Sequence, residues 1–194
     1  MKFSKDFTEE IFYCGQMQLP WDQIDKDLEL YRNDQTLTRA IVSDDLLKIN
    51  KELYEKQQLY SNYGYTEHNT KLWKTTNIDP KLTFAWESSI CDQLPLDKAI
   101  ATLTRQDPGQ VLPWHRDAFY YLRNTNKDDA RPIWRFLVFM EDWKIGHLVQ
   151  TENSIYTNWK AGDTIIWQPE TFHLSANAGL APKWTCNITG FLTL

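Results

Sequence analysis

From residue 98 to its end, the chain is a succession of short β-prone runs cut by turn signals, and that rhythm restricts the fold more than any other feature. The breaks are Asp107-Pro108-Gly109, Lys144-Ile145-Gly146, Ala161-Gly162-Asp163 and Ala178-Gly179. Between them lie Ala99 to Arg105, Ile133 to Glu141, His147 to Thr151, Ser154 to Trp159, Asp163 to Trp167, Phe172 to Ala176 and Lys183 to Leu192. Runs this short and this often interrupted pair as antiparallel strands and close into a sandwich or barrel.

The first hundred residues read differently. Pro20 at a first-turn position, followed by Trp21, Ile24, Leu28 and Tyr31 at helical spacing, predicts a helix with one apolar stripe. Ser43 backed by Asp44 and Asp45 has the character of a cap, and Leu46, Ile49 and Leu53 continue an apolar face, so a second helix is expected over about 44–60. From Tyr63 to Pro95 the Asn, Thr and Pro breaks leave no sustained period of either kind. With 194 residues and no linker, repeat or low-complexity tract, one domain spanning 1–194 is expected. In it, 1–97 is largely helical support and pocket wall, and 98–194 is the β core. The expected fold class is mainly β with peripheral α-helices.

A formal net charge of −5 provides no global positive field, so nucleic acid is not the expected partner. The local cations Arg116, Arg123, Lys127, Arg131 and Arg135 are interleaved with Asp117, Asp128 and Asp129 and read as a solvated loop beside a strand. Cys14, Cys91 and Cys186 are odd in number and lack a C-x-x-C pair, which argues against a disulfide framework and a structural zinc site and for a reducing compartment. The charged start MKFSKDFTEE, and a longest apolar run of only Phe136 to Met140, suit a soluble cytoplasmic protein without a membrane partner.

Within VLPWHRDAF, His115 and Asp117 lie two apart. In an extended backbone those side chains share a face and can converge on one ion; on a helix they would splay roughly 200° apart. Pro113 favours the extended case. His173, in ETFHLSANAG, sits on a later candidate strand and can supply a third ligand from across a barrel. Two imidazoles and one carboxylate leave one face of an octahedral ion open, which suits an Fe(II) that must bind both a cosubstrate and dioxygen. Zinc prefers a closed tetrahedral shell or a single open position. His115, Asp117 and His173 are therefore the candidate metal ligands and catalytic centre.

Three segments, PGQVLPWHRD, WKAGDTIIWQPETFHLSANAG and KWTCNITGFL, lie in this order across about half of the chain. They resemble the double-stranded β-helix (jelly-roll, cupin-like) core of the Fe(II)/2-oxoglutarate-dependent dioxygenases, particularly the prolyl hydroxylase-like and aspartyl/asparaginyl hydroxylase-like branches. The resemblance implies a hydroxylase that consumes 2-oxoglutarate and O2 and releases succinate and CO2. Its target would be an unactivated C–H bond of a peptidyl side chain or small molecule. It also implies that Lys183 and Thr185 hold the far carboxylate of 2-oxoglutarate. Strand alternation places Lys183, Thr185, Asn187 and Thr189 on one face and Trp184, Cys186, Ile188 and Gly190 on the other. Where many members carry Arg, Lys183 offers a point charge rather than a fork, so the anchor leans more on Thr185.

Arg135 shares a face with Leu137 and Phe139 in an apolar run and needs a carboxylate, either from cosubstrate or substrate or from a rim neighbour such as Asp142. Arg105 poses the same question. Trp114, Phe119, Tyr120 and Tyr121 bracket the metal motif and either pack in the core or shape the pocket, with Tyr121 the candidate hydroxyl donor to 2-oxoglutarate. His147 reads as structural and His68 as a surface residue. Two other readings stay open: a cupin-like metalloenzyme, dioxygenase or isomerase, that uses the same ligands without 2-oxoglutarate, and a non-catalytic β-sandwich binding module. Substrate identity and oligomeric state leave no signal in the sequence.

Overall fold

The computed structural model describes residues 7–42, 60–78 and 82–193. Its strands are β1 (Phe12–Gln16), β2 (Thr38–Ala40), β3 (Lys71–Thr76), β4 (Leu96–Gln106), β5 (Val111–His115), β6 (Ile133–Phe139), β7 (His147–Thr151), β8 (Ile155–Tyr156), β9 (Asp163–Ile166), β10 (His173–Asn177) and β11 (Lys183–Leu192). They form a large sheet in the order β1-β9-β6-β11-β4-β3-β2 and a small sheet in the order β5-β10-β7-β8. Strands β4 to β11 thus divide into two interleaved sets of four, β9-β6-β11-β4 and β5-β10-β7-β8. This is the double-stranded β-helix, and the fold is mainly β.

The chain's first half corrects one expectation. It is not largely helical among the described residues, because β1, β2 and β3 extend the large sheet at both ends. The cause is tertiary. A β-helix sheet offers open edges at β9 and β4, and an unpaired row of N–H and C=O groups recruits any extended segment of suitable length. Five or six residues such as KLWKTT show too little periodicity to reveal this in advance. The first expected helix does form, as α1 (Trp21–Leu30), with Pro20 immediately before it and Ile24 and Leu28 buried. The second, over 44–60, lies outside the described residues except for its last position. The segment without a clear period holds β3 and a short helix, Glu87–Cys91. No helix among the described residues is long and apolar enough to cross a membrane.

The two faces of β11 separate as alternation predicts. Trp184, Cys186 and Ile188 point outward and pack with Trp73, Leu103, Ile24, Leu28, Trp86 and Ile90, forming the largest apolar cluster. This cluster sits outside the barrel, under α1 and the Glu87–Cys91 helix. Each fully buried side chain of this size contributes about 1.5–3 kcal/mol. On the inner face the register aligns Lys74 with Thr104 and Thr104 with Thr185, and Thr76 with Thr102 and Thr102 with Asn187. The barrel interior is therefore floored by hydroxyls and an amide, and a smaller apolar cluster of Leu137, Phe139, Val149, Trp159, Ile165 and Trp167 packs beside that floor.

Arg105 turns to the outer face, away from any cosubstrate. Its fully buried guanidinium donates to the backbone carbonyls of Tyr31 and Asp34 and pairs with Asp107, between the rings of Trp73 and Trp184. It ties the turn after α1 to the sheet.

The barrel's end depends on two glycines pressed together. Gly146 has φ +90°, and a Cβ there would lie 2.3 Å from the Gly179 nitrogen. The Gly146 carbonyl also accepts the Ala178 N–H at 2.8 Å. Gly146→Ala should lower stability by about 2 kcal/mol or more, read as a lower urea midpoint. Ile145→Ala, at a side chain 82% exposed, should leave the midpoint unchanged.

Candidate metal centre

Antiparallel pairing of β5 with β10 sets His115 directly opposite His173, and Asp117 follows two residues after β5 ends. One ligand atom from each lies within 4.8 Å of the others. His115 Nε2 is 3.8 Å from Asp117 Oδ1, His173 Nε2 is 3.9 Å from Asp117 Oδ2, and the two imidazole centroids are 4.2 Å apart.

Each imidazole is oriented by its own backbone. His115 Nδ1 donates to Pro113 O at 2.7 Å, and His173 Nδ1 donates to Thr171 O at 2.9 Å. A carbonyl only accepts, so the proton sits on Nδ1 and the Nε2 lone pair points to the point of convergence. Burial depresses both pKa values. For His173 the value falls to about 4, with the neighbouring His115 adding to the effect. Both rings are thus neutral at pH 7, the form that binds a metal.

Asp117 is buried and its two oxygens differ. Oδ1 accepts from Arg135 Nη1, while Oδ2 has no hydrogen-bond partner among the described residues. Leaving a buried carboxylate oxygen unpaired costs free energy, and a cation between it and the two imidazoles would remove that cost. Two neutral imidazoles, one carboxylate and an open side toward a cavity fit Fe(II).

Arg135 therefore has a partner that neither sequence alternative named. It holds Asp117, and its Nε donates to Thr189 Oγ1 at 3.0 Å while the guanidinium lies over the Phe119 ring. Asp142 pairs instead with Lys160 at 3.1 Å. Arg135 still borders the cavity.

Lys183 departs from its expected role. Its ammonium donates to Leu148 O at 2.5 Å, Ser175 Oγ at 2.6 Å and Ala176 O at 3.3 Å, so all three protons are used within the protein. It is 1% exposed and does not line the cavity. Sitting one inward position beyond Thr185, it meets the carbonyls of β7 and β10 rather than open space. Burial alone lowers its pKa to about 7. Its link to the cavity runs through Ser175, which lines the wall and donates to Gln106 Oε1 at 2.6 Å. Thr185 itself is on the cavity wall.

Tyr121 is the second correction. Phe119 adopts φ +52° and starts the helix Tyr120–Thr125, which carries Tyr120 and Tyr121 to the surface, Tyr121 being 54% exposed. Phe119 itself is buried with Leu122, Ile133 and Phe191. His147 is buried and bonded to Ala181 O, and His68 is exposed.

The ligands open into a cavity of about 480 Å³. Besides the metal residues its wall includes Arg39, Lys74 and Thr104, none of which the sequence marked as functional. No sequence signal was available for Arg39 or Lys74, because their place depends on β2 and β3 pairing at the sheet edge.

No protein-family model and no curated protein sequence matches the chain. Among solved structures it is similar to a Cupin 2 conserved barrel domain protein from Salinispora arenicola, at 11% identity over 63% of this chain and 76% of that one, with a TM-score of 0.38. A predicted oxalate decarboxylase from Thermotoga maritima matches at 11% identity over 63% and 82%, with a TM-score of 0.39. A double-stranded β-helix protein from Klebsiella pneumoniae matches at 18% identity over 50% and 70%, with a TM-score of 0.34. On its own strand order and side-chain geometry, the chain is a cupin-like double-stranded β-helix protein with a candidate two-histidine, one-carboxylate metal centre.

Two outcomes follow from the partners of Asp117 and Lys183. Arg135→Met should weaken Mn(II) or Fe(II) binding by roughly 10- to 100-fold in a chelator competition, because Asp117 loses its orienting partner. Lys183 has its pKa lowered to about 7 in the folded state against 10.5 ordinarily, so the unfolded chain holds the extra proton between those values. Wild-type stability should therefore rise relative to Lys183→Met from pH 7 toward pH 10, and the difference should be flat below pH 7, as read by urea midpoints across the range.

Proposed function

We propose that this chain is a non-haem Fe(II)- and 2-oxoglutarate-dependent oxygenase that hydroxylates a C–H bond of a small-molecule or peptidyl substrate, releasing succinate and CO2. One observation carries the reading. Two oriented Nε2 atoms and the carboxylate of Asp117 converge at the wall of a cavity large enough for two small organic molecules. A site that only stored a metal would have no use for an open face and an adjoining cavity.

His115, Asp117 and His173 would hold the iron, which when bound supplies activation of O2. The rest of the work falls to the chain's own side chains. Arg135 keeps Asp117 in place. Thr104, Thr185, Ser175 and Asn187 present hydroxyl and amide groups from the cavity wall, which suit the oxygen atoms of 2-oxoglutarate. Arg116, between two of the ligands in sequence, and Arg135, bonded to Asp117, outnumber Asp117 beside the metal site, a balance that favours an anionic cosubstrate over a neutral one. With Lys183 engaged elsewhere and the Ser175 proton given to Gln106, Thr185 is the proposed contact for the far carboxylate. Holding cosubstrate and substrate in fixed positions beside the metal is the protein's contribution to rate.

A cupin-like metalloenzyme that does not use 2-oxoglutarate is the second reading, and one observation favours it: the three protons of Lys183 are satisfied without any ligand. Anaerobic addition of Fe(II) and 2-oxoglutarate separates the two. The oxygenase reading expects a visible charge-transfer band that is lost in His173→Ala and needs at least tenfold more 2-oxoglutarate in Thr185→Val. A folded, iron-loaded chain without the band would rule out 2-oxoglutarate use and leave the cupin-like alternative. Failure to retain iron at all would point to the non-catalytic binding module.

A further inference from the structure

We propose that Arg39 and Lys74 form an anion-recognising subsite of the metal cavity and take a carboxylate or phosphate group carried by the primary substrate. The proposal deepens the functional reading by naming a substrate class, and it rests on that reading for the role of the metal. The register of the large sheet is its basis. Lys74 pairs with Thr104, which pairs with Thr185, so all three share the inner face. Arg39 pairs with Leu72, two residues before Lys74 and on the same face of β3. The polar floor of the barrel thus continues beyond β4 onto strands from the first half of the chain, and its outer end is marked by two cations.

Among the described residues, no carboxylate pairs with Arg39 or Lys74, and the one acidic residue on the cavity wall, Asp117, is already held by Arg135. Desolvation of its ammonium by the surrounding protein, helped by the nearby Arg135 and Arg39 and opposed by Asp117, holds the Lys74 pKa below the ordinary lysine value. Both side chains remain exposed at the mouth of the cavity. Like charges grouped at a cavity without compensation are unfavourable until an anion joins them.

Distance assigns the anion to the substrate rather than to the cosubstrate. Strands in a sheet are about 4.8 Å apart, which places the backbone of Lys74 roughly 10 Å and that of Arg39 roughly 14 Å from the backbone of Thr185 across the sheet. A five-carbon diacid held between the metal and Thr185 lies over β11, whereas both cations rise from β3 and β2, beyond β4. The group that meets them belongs to a second molecule, whose reactive carbon lies toward the metal while its charged end meets β2 and β3.

The test uses the full chain loaded with Zn(II), a redox-inert stand-in for iron, in saturating 2-oxoglutarate, with inorganic phosphate and acetate as probe anions and amide NMR shifts as the readout. Saturable shifts centred on β2 and β3 are expected. Arg39→Met and Lys74→Met should each weaken probe binding at least fivefold without changing the affinity for 2-oxoglutarate. Arg123→Met, at an exposed arginine outside the cavity, should bind as wild type. Unchanged thermal midpoints would show that the variants are folded. Probe binding that survives both substitutions would overturn the subsite. A fivefold loss of 2-oxoglutarate affinity in either variant would also overturn it, because the anion would then be the cosubstrate's. If wild type does not bind 2-oxoglutarate, the oxygenase reading fails by itself. The phosphate titration without cosubstrate then decides the subsite alone: loss of binding in the variants supports it and retention refutes it.

Discussion

A buried carboxylate with one oxygen held and the other bare is the constraint around which this structure is arranged. Asp117 Oδ1 is fixed by Arg135 with His115 Nε2 beside it, and Oδ2 faces His173 Nε2, the protons of both imidazoles being committed to the backbone. Without a cation this is an unfavourable cluster, since the carboxylate has been removed from water and only half repaid. With a cation, the same atoms become a preorganised ligand set that pays little reorganisation on binding. Arg135 accounts for the position of Asp117, and Thr189 and Phe119 account for the position of Arg135. The last strand and the loop after β5 therefore both converge on one oxygen atom.

That arrangement is possible because the main source of stability lies elsewhere. The largest apolar cluster is on the outer side of the large sheet, where Trp73, Trp184, Ile24 and Ile90 are almost wholly buried. The barrel interior is left free to carry threonines, an asparagine and charged groups. The added strands β1, β2 and β3 do more than protect edges, because β2 and β3 widen the inner face and bring Arg39 and Lys74 to the cavity.

The candidate metal ligands were legible in the sequence because the relevant geometry is local. In His115-x-Asp117, a period of two in an extended chain is enough to put both side chains on one face, and the turn-rich rhythm after residue 98 already implied strands. The inner face of β11 was legible for the same reason. Lys183 shows the limit of that reasoning. Alternation placed it on the inner face, but whether that face meets open space or the carbonyls of Leu148 and Ala176 depends on how deep each residue sits in the barrel. Tyr121 was misplaced because one left-handed residue, Phe119, ended the extended segment and began a helix. Arg39 and Lys74 could not be found from sequence, since their place at the cavity arises from edge pairing between segments with no periodic signature.

The most direct test of the central claim is iron K-edge X-ray absorption on the anaerobically reconstituted Fe(II) protein, before any cosubstrate is added. The account predicts one iron per chain, six-coordinate, with two imidazole nitrogens and one carboxylate oxygen from the protein and the remaining positions filled by exchangeable light-atom ligands. Substoichiometric iron, a sulfur ligand, or a shell unchanged when His173 is replaced by Ala would contradict it.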